Sequence, residues 1–226
     1  MHKVILKTEN LHKNYADAVI LKGVNFKLHQ GESIAIMGAS GEGKTTLLHL
    51  LGGLEKPTSG KIFYQEEEFL SKNARFLRSK HFSFVFQFFN LLEEFSALDN
   101  VLMPAYISTR SKKNHKEKAL QLLDEVGLAH LAHKNVKAFS GGEKQRTAIA
   151  RAFLNDPEII FADEPSGNLD HQNSKKIGDL LLSFVKAKKK SLVIATHNEE
   201  LASLCDHKYL LKDGILENLS MTASHH

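Results

Sequence analysis

A glycine-rich octapeptide at residues 38–45 (Gly-Ala-Ser-Gly-Glu-Gly-Lys-Thr) constrains the fold of this chain more than any other feature. An apolar run at residues 33–37 precedes it, and a second apolar run at residues 46–51 follows it. The spacing is G-x-x-x-x-G-K-[ST], in which the glycines allow backbone N–H groups to point into one concave loop. A buried strand, a tight loop and a helix in this order predict an α/β fold with a parallel sheet.

The same octapeptide predicts a phosphate-binding site, because backbone N–H groups and the positive end of a helix both attract anions. Lys44 is predicted to reach the β- and γ-phosphates of ATP, and Thr45 to place its hydroxyl on Mg²⁺. Thr46 is predicted to contact the α-phosphate. The remaining residues predicted to contact ATP in this loop are Gly38, Ala39, Ser40, Gly41, Glu42 and Gly43. A purely structural glycine turn is the alternative interpretation.

Two adjacent carboxylates, Asp163 and Glu164, follow another apolar run at residues 159–162. Carboxylates at the end of a buried strand are costly unless they hold a cation or perform a reaction. Asp163 is therefore predicted to hold Mg²⁺, and Glu164 to orient the attacking water and accept its proton. Without the phosphate loop, solvated carboxylates at a strand end would be the simpler interpretation. A further apolar run, residues 191–196, ends at His197.

Composition fits an ordinary soluble globular chain, with 226 residues, 42% hydrophobic and 25% charged. The net charge of +4 suits an anionic ligand but is too small an excess to predict nucleic-acid binding. No apolar run reaches the ~20 residues that cross a bilayer. Residues 1–10 lack the apolar core of a secretory signal, so the chain is expected to stay in the cytosol.

The middle of the chain carries the pattern of an inserted helical region. Residues 119–126 and 143–154 have apolar residues at helical spacing, and Gly127 is a predicted helix stop. We predict one domain over residues 1–226, with a nucleotide-binding core at 1–87 and 157–226 and an inserted helical subdomain at 88–156. The basic stretches 110–118 and 186–190 are interpreted as solvated loops or helix ends, and residues 220–226 as a frayed tail.

The stretch at residues 139–146 (Phe-Ser-Gly-Gly-Glu-Lys-Gln-Arg) predicts a second anion-binding helix N-terminus. One nucleotide does not need two such sites from one chain. Together with the phosphate loop and the paired carboxylates, the sequence resembles the ATPase subunit of an ABC transporter. This resemblance implies that Ser140, Gly141 and Gly142 contact the ATP held by another copy of the chain, in a symmetric homodimer with ATP at its interface.

The resemblance spans residues 4–216 and implies roles for further residues. Tyr15 would stack on adenine, and Gln87 would contact Mg²⁺ and sense the γ-phosphate. His197 would donate a hydrogen bond to the γ-phosphate, beside catalytic Glu164 and Lys44. The expected fold is a P-loop NTPase core with a parallel sheet, an N-terminal antiparallel β region and an inserted α-helical subdomain. The expected partners are membrane-embedded permease subunits, which would hold the chain peripherally at the cytoplasmic face of the inner membrane.

Three stretches resemble the lipoprotein-releasing branch of the family: residues 88–92, 95–104 and 165–170. The ATPases of cell division and of macrolide export are alternatives within the family, and a soluble ATPase of DNA repair or translation is an alternative from another class. Three residues depart from the common pattern. Glu42 puts a carboxylate inside the phosphate loop and is expected to point outward, and Glu93 and Ser166 are expected to tune partner contacts.

Overall fold

The computed structural model describes residues 3–16, 18–69, 71–107 and 115–219. The basic stretch 110–118 lies largely outside the described residues, and the predicted tail 220–226 lies wholly outside them. The basic stretch 186–190 is a helix end, as predicted. In chain order the strands and helices are β1 (Val4–Tyr15), β2 (Ala18–His29), β3 (Ser33–Met37), α1 (Lys44–Leu51), β4 (Ser59–Tyr64), β5 (Glu67–Glu68), α2 (Ser71–Lys80), β6 (Phe82–Val85), α3 (Ala97–Ile107), α4 (His115–Glu125), α5 (Gly141–Phe153), β7 (Ile159–Asp163), α6 (His171–Ala187), β8 (Ser191–Ala195), α7 (Glu199–Ser203), β9 (His207–Lys212) and β10 (Ile215–Asn218).

A six-stranded sheet forms the centre of the molecule, with strand order β10-β9-β3-β8-β7-β6. Neighbouring strands from β9 to β6 are parallel, and β10 pairs antiparallel with β9. The apolar runs predicted as buried strands are β3, β7 and β8, and every residue of β7 and β8 is buried. Because the parallel strands end at the same edge, the residues that follow β3, β6, β7 and β8 lie close together.

A separate four-stranded sheet contains β1 and has the order β2-β1-β4-β5, with antiparallel pairing throughout. It confirms the expected N-terminal antiparallel β region. Its buried side chains, including Leu6, Phe26 and Leu28, share one apolar cluster with Ile34 of β3 and Leu47 of α1. The antiparallel sheet therefore packs on the core at the start of the phosphate loop.

Helices α3, α4 and α5 form the helical region that the sequence predicts between the two parts of the core. Val101, Leu122 and Ile149 are buried in one apolar cluster that also contains Ile160 and Ile194 of the central sheet. Gly127 lies two residues after the end of α4 and has φ +73°, a value that favours glycine. The proposed boundaries at residues 88 and 156 stay a prediction. Among the described helices, none is long and apolar enough to cross a bilayer.

Candidate nucleotide-binding site

The loop between β3 and α1 has the form that anion binding requires. Lys44 donates from Nζ to the carbonyl oxygens of Gly38 and Ala39, at 2.9 and 3.0 Å, so its ammonium group lies over the loop. Gly43 is the N-cap residue of α1, with φ +94° and no side-chain cap. The first N–H groups of α1 therefore have no side-chain acceptor at the N-cap and can bind a phosphate.

Thr45 of α1 meets Asp163 at the end of β7, and its Oγ1 donates to Asp163 Oδ1 at 3.0 Å. Burial raises the pKa of the Asp163 carboxyl, although the hydrogen bond from Thr45 acts in the opposite direction. A buried carboxylate and a hydroxyl in contact are oxygen ligands of the kind that Mg²⁺ takes, with the remaining positions left to phosphate and water. These residues fit the predicted ion. The described residues contain no cluster of three or more His, Cys, Asp or Glu side chains able to hold a metal alone.

Glu164 lies at the centre of the polar side chains. Its Oε1 is 2.9 Å from Nδ1 of His197 and 3.9 Å from Nζ of Lys44. Its other oxygen accepts a hydrogen bond from Thr196 Oγ1 at 3.3 Å. The backbone of Glu164 has φ +41°, an uncommon value outside glycine, and its N–H donates to Ala195 O at 2.9 Å. The strained turn after β7 thus presents this carboxylate between a cation and an imidazole.

Gln87 follows β6 and lies beside the turn after Glu164. Its Nε2 donates to Asn168 Oδ1 at 3.4 Å, and Asn168 Nδ2 donates to the Gln87 carbonyl at 2.9 Å. A Cβ atom on Gly167 would lie 3.0 Å from Gln87 Nε2 and 3.4 Å from Glu164 Cβ. Glycine at residue 167 therefore allows the two loops to approach each other closely.

Tyr15, at the end of β1, is 43% exposed and lies near α1. Its hydroxyl donates to Glu55 and also interacts with Thr46. Lys13 Nζ lies 4.5 Å from the ring centroid. Burial of the phenol, followed by the Glu55 hydrogen bond, raises the pKa of Tyr15. The ring is held at its hydroxyl end while much of its surface stays open.

Ser140 is the N-cap residue of α5, in the helical region. Its Oγ accepts from the N–H of Glu143, and the Glu143 carboxylate accepts from Ser140 N and Oγ at 2.8 and 2.7 Å. These hydrogen bonds lower the pKa of Glu143. A Cβ atom on Gly141 would lie 2.9 Å from Leu169, so the motif packs on the loop that follows Glu164. Ser140 itself is exposed, and its hydroxyl is engaged by Glu143.

The structure therefore brings together Lys44, Thr45, Asp163, Glu164 and His197. Four contact residues were not predicted. Thr196, which donates to Glu164, was predicted only as the end of an apolar run. Lys13 and Glu55 hold Tyr15, and no local sequence pattern distinguishes them from other surface charges. Asn168 lies within the stretch 165–170, but its pairing with Gln87 depends on tertiary structure.

Residues 21–167 match the family model described as ABC transporter, and this match covers more than half of the chain. The chain belongs to the ABC transporter family. It is 45% identical to the lipoprotein-releasing system ATP-binding protein LolD of Cytophaga hutchinsonii, over 94% of this chain and 98% of that protein. It is 47% identical to the LolD protein of Protochlamydia amoebophila, over 94% of this chain and 96% of that protein.

Solved structures of ABC transporter cassettes have the same fold as this chain. The dimeric structure of MJ0796, a bacterial ABC transporter cassette, has a TM-score of 0.84 at 35% identity and covers 95% of this chain and 99% of its own. A post-hydrolysis structure of the same cassette, bound to ADP and Pi, has a TM-score of 0.83 at 34% identity, with the same coverage. The chain is an ABC-type ATPase, and the expected α/β fold with its parallel and antiparallel sheets is confirmed.

Proposed function

We propose that this ABC ATPase powers the release of lipoproteins from the inner membrane for targeting to the outer membrane. One observation supports this cargo more than any other. Relatives named as LolD match the chain at 43–47% identity over 94–97% of its length. Similarity over this much of the chain includes the helical region as well as the nucleotide-binding loops.

In the proposed reaction the chain binds ATP through the phosphate loop, where Lys44 exchanges its loop carbonyls for the β- and γ-phosphates. Glu164 accepts a proton from the attacking water, and it is held for this by Thr196 and His197. The exposed imidazole of His197 donates a hydrogen bond to the γ-phosphate. Tyr15 stacks on the adenine with the open part of its ring.

Thr45, Asp163 and Gln87 are the residues proposed to hold Mg²⁺. When bound, this ion neutralises phosphate charge and orients the β- and γ-phosphates. The Thr45–Asp163 contact already places two oxygen ligands side by side. Gln87 supplies a neutral amide oxygen and links the ion site to the helical region.

We further propose that two copies enclose two ATP molecules, with the phosphate loop of one copy facing Ser140, Gly141 and Gly142 of the other. Ser140 is exposed at the N-terminus of α5, and its hydroxyl, now donating to Glu143, would donate to the γ-phosphate instead. The dimeric MJ0796 cassette supports this arrangement as a structural neighbour. The γ-phosphate charge would hold the two copies together, so hydrolysis would release them.

A groove between β6 and the helical region supports docking of a membrane-embedded permease. It has a volume of about 300 Å³, and its walls include Phe84, Phe86 and Pro104. A permease segment that inserted apolar side chains would cover these walls. The chain would then sit peripherally at the cytoplasmic face of the inner membrane.

Affinity purification of Glu164→Gln from native membranes with Mg·ATP tests this role, because the trapped state should retain the permease. Recovery of permeases whose depletion leaves lipoproteins in the inner membrane is expected. Recovery of a cell-division or macrolide-export permease would replace the cargo and keep the ATPase. Recovery of DNA-repair or ribosomal partners alone would contradict transport altogether. Lys44→Ala, which should not trap ATP, is the matched control.

A further inference from the structure

Glu42 is an unexpected residue for an anion-binding loop, since its negative charge would repel phosphate. The structure aims this carboxylate away from the loop. Its Oε2 accepts a hydrogen bond from the backbone N–H of Asp213 at 2.7 Å. Asp213 belongs to the turn between β9 and β10, at the other end of the chain.

The Asp213–Gly214 turn needs an acceptor at this position. Lys212 and Ile215 are paired, and both central residues have positive φ, +51° and +78°, which defines a type I′ hairpin. In such a turn the hydrogen bond across the hairpin uses the two outer residues, so the N–H of the first central residue has no partner in the ladder. Glu42 supplies that partner.

The same turn is held from a second side by β2. The Lys22 N–H donates to Gly214 O at 2.8 Å, and a Cβ atom on Gly214 would lie 2.8 Å from Ile20 O. A Cβ atom on Gly43 would lie 2.6 Å from Ile20 Cγ2, so β2 also packs against the phosphate loop. The loop, the turn and β2 therefore meet at one junction.

The start of the loop is close to β9 as well. A Cβ atom on Gly38 would clash with Leu211 O, and it would lie 3.6 Å from Glu42 Cβ. Gly38 is also the residue whose carbonyl accepts from Lys44. A shift of the loop relative to the hairpin would therefore move both the lysine acceptor and the glycines that face phosphate.

We propose that Glu42 is a positioning residue, whose carboxylate ties the phosphate loop to the β9–β10 turn and so keeps the loop in its phosphate-binding form. This inference deepens the proposed function and rests on its nucleotide site. The Glu42 side chain then has two opposing effects. The hydrogen bond to Asp213 favours nucleotide binding, whereas the charge by itself opposes it.

Three substitutions separate these effects. Glu42→Gln keeps an acceptor and removes the charge, whereas Glu42→Ala removes both. Glu42→Asp keeps the charge but is one methylene shorter, so it cannot reach the turn. If the side chain contributed only its charge, the Gln and Ala variants would bind nucleotide equally, and both would bind more tightly than the wild type.

The experiment measures the affinity of the full chain for Mg·ADP, which requires the phosphate loop of one copy only, and the hydrogen exchange of the residue 213 amide without nucleotide. We expect Glu42→Gln to bind at least as tightly as the wild type. Glu42→Ala should bind roughly threefold to tenfold more weakly than Glu42→Gln, the effect of losing one hydrogen bond to a neutral amide acceptor. Glu42→Asp should bind most weakly.

The amide of residue 213 should exchange faster in the Ala and Asp variants than in the wild type and Gln variant. Glu217→Ala removes an exposed carboxylate from the same hairpin and should change neither measurement. Equal binding by the Ala and Gln variants, or an amide exchange rate unaffected by Glu42→Ala, would overturn the proposal. Failure of the nucleotide site itself is distinguishable, because no variant and no wild-type chain would then bind Mg·ADP.

Discussion

Gln87 and Asn168 form a reciprocal pair. Asn168 donates to the Gln87 carbonyl at 2.9 Å, and Gln87 donates from its side chain to Asn168 Oδ1 at 3.4 Å. The pair joins the loop after β6 to the loop that follows Glu164. A movement of the helical region can therefore reach the catalytic carboxylate through two side chains.

Asn168→Ala should lower kcat for ATP roughly threefold to tenfold with little change in KM, since it removes two hydrogen bonds that hold the catalytic loops and none that bind nucleotide. Steady-state hydrolysis over a range of ATP concentrations measures both constants. Asn25→Ala, which removes two hydrogen bonds in the antiparallel sheet, is the control for loss of an asparagine. An unchanged kcat in Asn168→Ala would show that the pair does not support catalysis.

The sequence predicted much of the fold because its strongest signals are local. The octapeptide at 38–45 and the apolar strands 159–162 and 191–196 each carry their structure in consecutive residues. The capping box of Ser140 and Glu143 is also a local pattern. The contacts that were missed join distant parts of the chain. Glu55 with Tyr15, and Glu42 with Asp213, pair only after both sheets have formed.

The direction of the Glu42 side chain was predictable from the sequence, but its hydrogen-bond partner was not. The charge of phosphate predicts that its carboxylate points outward, and the structure confirms this direction. The partner of the carboxylate was not predictable, because the Asp213 N–H is left without a ladder partner only in the folded hairpin. The partner of Glu93 was likewise not predictable, because Lys144, whose Nζ lies 3.4 Å from Glu93 Oε1, is 51 residues away in the sequence.

Asp163→Asn should raise the melting temperature of the nucleotide-free chain by a few degrees at about pH 8. Burial raises the pKa of Asp163, so the folded chain binds this proton more tightly than the unfolded chain does. The ionised carboxylate therefore costs stability above the folded pKa. That cost disappears below the unfolded pKa, where both states are protonated. Asparagine keeps an Oδ1 acceptor for Thr45 and removes only the charge.

Thermal unfolding of Asp163→Asn at several pH values checks this prediction, with exposed Asp124→Asn as the control. The gain in melting temperature should shrink as the pH falls toward the pKa of Asp163. Hydrolysis should be lost at every pH, because the ion ligand is weakened. A melting temperature below that of the wild type at about pH 8 would contradict the prediction that the ionised Asp163 lowers stability.

Tyr15→Phe should bind ATP nearly as well as the wild type, whereas Tyr15→Ala should bind it about tenfold more weakly. Stacking needs the ring, and the hydroxyl serves mainly to hold the ring against Glu55. Equilibrium binding of ATP to the full chain provides the comparison. Equal affinities for the Phe and Ala variants would remove Tyr15 from the adenine site.

Mixing Ser140→Ala chains with Lys44→Ala chains should restore hydrolysis that neither variant has alone. In a mixed dimer, one site combines an intact Lys44 with an intact Ser140, and the other site lacks both. Random pairing gives about a quarter of the wild-type sites. ATPase assays on the separate and mixed variants make the comparison. Activity no greater than the sum of the separate variants would indicate that each site is built within one chain.

The assembly state of Glu164→Gln, measured by analytical ultracentrifugation with and without Mg·ATP, tests the ATP-enclosing dimer most directly. Loss of the proton-accepting carboxylate should stop hydrolysis and leave the γ-phosphate between the two copies. We predict a stable dimer with Mg·ATP, and monomer with Mg·ADP or without nucleotide. The same monomer fraction in all three conditions would contradict an ATP-enclosing dimer.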